Sequence, residues 1–162
     1  MSRSFSIAFC LILATLADGI VGLLHAGDDS PKQLPPEVSA IVSQHLDGGH
    51  VDDIKVIRID ERTLYVVKVD LPGPHERKVH VTGDGILLKT VQKVRLPDLP
   101  APVRATVDGI LAKRGRFDGA DRVTADEKVE YHIELDLPGR VELELVLSDT
   151  GEVISRREER KL

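Results

Sequence analysis

The sequence predicts an α+β protein of two tandem units, each one helix packed on a four-stranded antiparallel sheet. Three observations carry that expectation. Apolar and polar residues alternate over long stretches, two helical apolar stripes follow proline-rich openings, and the pattern is written twice with an offset of 65 and then 66 residues. The chain has 162 residues, 41% of them hydrophobic and 30% charged, a balance that suits a folded protein. The formal net charge is −5, with Trp 0, Tyr 2 and Phe 3. This excludes a generally basic nucleic-acid binder and a base-stacking platform.

Residues 1–26 read as a secretory signal. Arg3 supplies a short basic start, and Phe5 to Ala17 is an apolar run too short to span a bilayer. Ala26 ends the segment with a small residue, and a cut after Ala17 is the alternative. Cys10 lies inside this segment and is the 1 Cys of the chain, so the expected mature protein has neither disulfide nor thiolate metal site. The expected location is exported, periplasmic or extracellular, with no stable membrane insertion after cleavage.

The first unit is expected over 33–92 and the second over 98–158. Pro35-Pro36 and Pro100-Ala101-Pro102 suit the first turn of a helix, where the missing N–H costs little. Val38, Ile41, Val42 and Leu46 form one stripe, and Val103, Val107, Ile110 and Leu111 the other. Gly48-Gly49 and Gly115 are expected to stop these helices. Strands are expected at about 54–60, 63–71, 76–82 and 85–91, then at about 120–125, 129–137, 141–148 and 152–157. Lys93 to Pro100 is the expected linker. Between Leu137 and Val141 the period of two demands a three-residue reversal, Pro138-Gly139-Arg140, because facing residues must share a face. Asp149-Thr150-Gly151 is the next reversal. The mixed-charge tail from Arg156 to Lys161 reads as a frayed strand end.

Tyr65-Val66-Val67-Lys68-Val69 with Gly83-Asp84-Gly85, and Tyr131-His132-Ile133-Glu134-Leu135 with Asp149-Thr150-Gly151, give the chain a family likeness. With the leading signal and the doubled helix-plus-four-strand order, it resembles the PepSY-like proteins and the β-lactamase-inhibitor-like fold. The resemblance covers nearly the whole mature chain. It implies a non-catalytic module outside the cytoplasm, in a family linked to inhibition or regulation of peptidases, and it transfers no binding residue.

Candidate chemistry is sparse. Asp149-Thr150-Gly151 matches the aspartic-protease triplet, but Glu152 follows where those enzymes carry Ala or Ser, and a hairpin turn explains all three residues. His45, His50, His75, His80 and His132 form no HExxH motif, and His75 and His80 point to opposite faces of one strand. No Gly-x-Ser-x-Gly elbow is present. The polar strand positions say more. Parity sets Asp136 opposite Glu142, Glu134 opposite Glu144, Asp70 opposite Glu76 and Lys68 opposite Lys78. Like charges directly opposed weaken a sheet.

The expected function is protein binding by a non-enzyme, through exposed sheet faces and hairpin loops. The protein partner would be an extracytoplasmic enzyme such as a peptidase, inhibited or regulated by the contact, and nucleic acid is not expected. Candidate contacts are Glu130, His132, Glu134, Asp136, Glu142 and Glu144, with Lys68, Lys78 and His80. No cofactor and no metal are expected. The alternatives are a divalent-metal-binding envelope protein using the acidic face, and an aspartic protease.

Overall fold

Backbone N–H and C=O groups at a sheet edge must find partners, and that need decides the architecture. A computed structural model describes residues 33–112 and 115–161. The expected signal over 1–26, its cut after Ala26 or Ala17, and Cys10 lie outside them. The chain runs α1 (Pro36–Ser43), β1 (His50–Ile59), β2 (Arg62–Leu71), β3 (His75–Thr82) and β4 (Leu87–Lys93). A short 3-10 helix, Leu96–Asp98, leads into α2 (Ala101–Leu111), β5 (Arg116–Ala125), β6 (Lys128–Leu137), β7 (Val141–Ser148) and β8 (Val153–Arg160). All eight strands form one antiparallel sheet in the order β1 to β8.

This corrects the expectation of two units, each with its own helix-covered four-stranded sheet. The molecule is mostly one continuous sheet, with two short helices on one face. The reason lies at the join. The β4 edge pairs with β5 through Thr90↔Thr124, Val91↔Val123, Gln92↔Arg122 and Lys93↔Asp121. Pairing removes two open edges at once, and none of these residues resists it. At the same places along β8 stand Arg156, Arg157 and Glu158, and β8 is exposed along its whole length. Charge keeps that edge from recruiting another strand.

The helices end earlier than their glycines. α1 stops at Ser43, and Gly49 instead lets the chain pass close to β2, where a Cβ would lie 2.1 Å from the Asp70 carbonyl oxygen. Each helix has Pro in its first turn and buries two valines one turn apart, Val38 and Val42 in α1, Val103 and Val107 in α2. Below α1 lie Val67, Val69, Val79 and Val81; below α2 lie Ala120, Tyr131, Ile133, Leu135, Leu143, Leu145 and Leu147. The two hairpins β3–β4 and β7–β8 tie the helices down. The Thr106 hydroxyl donates to the Gly151 carbonyl at 2.8 Å, and Gly85 passes against Glu37.

The reversal at Pro138-Gly139-Arg140 pairs Leu137 with Val141, as parity requires. The tail is not frayed at Arg156. Arg156 to Arg160 pair with Leu145 to Val141, which extends β8.

Candidate functional site

With both helices on the valine-and-leucine face, the other face of the sheet carries no helix among the described residues. Every candidate contact residue falls on it: Lys68 on β2, Lys78 and His80 on β3, Glu130, His132, Glu134 and Asp136 on β6, Glu142 and Glu144 on β7. They alternate with buried Val67, Val79, Ile133 and Leu143. They do not converge. β4 and β5 separate them into two groups, and Val91 and Val123 face each other between.

The two groups differ in sign. Lys68 faces Lys78 across β2 and β3; at the same places along β6 and β7, Glu134 faces Glu144. Lys68 is enclosed by carboxylates: its Nζ lies 2.8 Å from Asp52, 3.3 Å from Glu76 and 3.8 Å from Asp70. Hydrogen bonds to Asp52 and Glu76 push its pKa well above the usual lysine range. Glu134 takes the place of that lysine among the same kind of neighbours. Desolvation first, then the charges of Glu142, Asp121, Asp118 and Glu144, raise its pKa above the usual carboxylate range.

Carboxylates beside Glu134 are met by cations from the rim. The Lys161 ammonium lies 3.0 Å from Asp136 and 3.1 Å from Glu142, and Arg116 also bonds Asp136. Both bonds hold the Asp136 carboxyl below its ordinary pKa, Lys161 being the stronger cause. Arg157 approaches Glu144 at 3.7 Å.

The histidines are unusual for a bare face. His80 Nδ1 and His132 Nε2 are buried and have no hydrogen-bond partner. Burial, then Lys89 and Lys78, lower the His80 pKa to about 4. His132 has Glu130 3.7 Å away, too far for a hydrogen bond.

Sequence reasoning missed Asp52 and Asp118. Both occupy β-bulges, between Val51 and Asp53 in β1 and between Phe117 and Gly119 in β5. A bulge adds one residue and breaks the alternation that assigns faces. It also missed Lys93 and Asp121, which meet only because β4 joins β5. Only the β5 bulge carried a signal, the Asp118-Gly119 pair; Asp52-Asp53 gives none.

Asp149-Thr150-Gly151 forms the β7–β8 hairpin turn, with the Gly151 N–H donating to the Ser148 carbonyl at 3.0 Å and Gly151 at φ +80°. Among the described residues no group of three His, Cys, Asp or Glu is arranged to hold a metal ion. No helix among them is long and apolar enough to cross a membrane.

No protein-family model matches the chain, and neither does any curated protein. Solved structures do. A DUF2874 family protein from Bacteroides uniformis superposes with a TM-score of 0.63 at 16% identity, over 78% of this chain and 90% of that one. A protein from Bacteroides eggerthii, provisionally described as periplasmic, gives 0.63 at 16% over 78% and 89%. A BLIP-like protein from Bacteroides fragilis gives 0.62 at 15% over 81% and 92%. At such identities the likeness is one of fold: this chain has the BLIP-like fold.

Proposed function

We propose that the chain is an exported, non-catalytic module that binds another protein through the helix-free face of its sheet. The observation that carries the reading is the uneven charge of that face, with exposed Lys78 beside a Lys68 already answered by Asp52, Glu76 and Asp70 on one half, and the opposed pair Glu134 and Glu144 on the other. A face meant only for water gains nothing from opposed like charges, which cost a few tenths to ~1 kcal/mol per pair. A partner of complementary pattern repays that cost and is steered by it. Such a partner sets carboxylates over Lys78 and basic side chains over Glu134.

The apolar run before Ala17 supports export, and the shared fold with a BLIP-like protein supports binding in place of catalysis. On this reading 33–92 and 98–158 are two PepSY-like copies of one unit, fused through their edges. The partner class is an extracytoplasmic enzyme, such as a peptidase, or another envelope protein.

The test is capture from an envelope extract on immobilised wild-type chain and on the Glu134→Lys, Glu144→Lys double variant. Loss of specific proteins from the variant's set is expected. Identical sets from both would end the acidic half's role as a contact.

A further inference from the structure

We propose that one protein fitting this face is a second copy of the same chain, docked face to face about a two-fold axis over Val91 and Val123. The inference rests on the reading of the helix-free face as a protein contact.

The argument is the order of residues across the sheet. One row runs Lys68, Lys78, Val91, Val123, Glu130, Ser148 from β2 to β7. The next contains Lys93, Asp121, His132 and Val146 from β4 to β7. A two-fold axis parallel to the strands at the β4–β5 join reverses each row upon itself. Val91 of one copy then lies over Val123 of the other, Lys78 over Glu130, and Lys93 over Asp121. Each contact occurs twice, as an isologous interface requires. A foreign partner has no reason to need opposite signs at equal distances from the centre; a copy of the chain needs that arrangement.

Half-buried Val91 and Val123 lie at the centre, and Val66 and Val146 lie two strands further out on the same face. Strands spaced ~4.8 Å apart make the face about 35 Å wide, ample for the ~800 Å² per partner of a standard interface. The charges nearest the axis, Lys93 and Asp121, meet as pairs of opposite sign, and Lys78 is exposed and stands outside the valines. The centre thus joins an apolar contact to matched charges.

The experiment is sedimentation equilibrium of the full chain at low salt, with Lys78→Glu and Glu130→Lys made singly. Wild type is expected to show a monomer–dimer equilibrium that weakens with salt. Each single variant is expected to dimerise about tenfold or more weakly, because each places two like-charge contacts in its own dimer. An equimolar mixture of the two variants is expected to recover wild-type association to within about threefold, since both contacts in the mixed pair are of opposite sign. Circular dichroism confirms that each variant is folded, and Lys93→Glu mixed with Asp121→Lys repeats the test on the second row. Wild type that stays monomeric throughout, or a mixture that associates no better than either variant alone, overturns the proposal. If the chain is monomeric and the Glu134→Lys, Glu144→Lys variant still loses captured proteins, the second copy is excluded and the contact face stands. If the captured sets are also unchanged, both readings fall.

Discussion

Glu134 stands directly across from Glu144 on neighbouring strands, at the places where Lys68 and Lys78 face each other on the other half of the sheet. The carboxylates around Lys68 are satisfied by it; those around Glu134 are repelled. The raised Glu134 pKa means that folding favours its protonated form. The stability it contributes is therefore present below the unfolded carboxyl pKa and lost as pH rises through the higher folded one. Glu134→Gln is expected to stabilise the protein at neutral pH by up to ~1 kcal/mol and to change little in acid. Denaturant midpoints at neutral pH and in acid check this. A variant equally stable or weaker at neutral pH would show that the face tolerates its charge.

His80 behaves in the opposite sense. Burial and the two neighbouring lysines lower its pKa to about 4, from an ordinary value of 6.5. The neutral ring is favoured in the fold, so its contribution is fully present above pH 6.5 and is lost as pH falls toward 4. A loss on the order of 2 kcal/mol across that window is expected. His80→Leu should remove most of that slope while keeping the side chain's packing. The measurement is urea unfolding as a function of pH for both proteins. An unchanged slope in the variant would assign the acid sensitivity elsewhere.

Gly151 and Gly85 test how the helices are held. Both have φ near +80°, where an L side chain is strained. A Cβ on Gly151 would lie 2.6 Å from the Pro102 carbonyl oxygen, whereas one on Gly85 would meet the Glu37 Cβ at 3.0 Å. The backbone at Pro102 cannot yield without moving the start of α2, but α1 can shift at Glu37 more easily. Gly151→Ala is expected to cost about 3 kcal/mol, and Gly85→Ala distinctly less. Thermal unfolding of the two variants gives the order, and the reverse order would show that α1 is the more firmly seated helix.

Much of this was legible in the residues. The alternation from Val129 to Ser148 defines β6 and β7, and parity alone places Leu137 opposite Val141. Two things were not. Alternation cannot register a bulge, so Asp52 and Asp118 escaped, although Asp52 closes the cage around Lys68. Nor does alternation say whether one unit's last strand meets the next unit's first, because backbone pairing needs no particular side chain. The contrast between Thr90-Val91-Gln92 and Arg156-Arg157-Glu158 held that signal. A run without charge at an edge leaves it open to pairing, while successive charges such as Arg156-Arg157-Glu158 discourage a further strand.

One sheet need not mean one core, and that distinction carries the last prediction. The two hydrophobic clusters share no buried residue. The first is built entirely of valines: Val38, Val42, Val67, Val69, Val79 and Val81. The second holds Tyr131, Ile133, Leu135, Leu143, Leu145 and Leu147 with the valines of α2. Each buried methylene adds about 0.8 kcal/mol, so the second half is the more stable by several such increments. Between them, among the described residues, run the backbone bonds of β4 with β5, the half-buried pair Val91 and Val123, and a few polar pairs. Amides of β2 and β3 should therefore exchange with solvent deuterium about tenfold or more faster than those of β6 and β7. Leu145→Ala, which leaves a cavity costing about 2–5 kcal/mol, should speed exchange in β6 and β7 and change β2 and β3 far less. If both halves show equal protection and respond equally to Leu145→Ala, the continuous sheet couples the two cores into one cooperative unit.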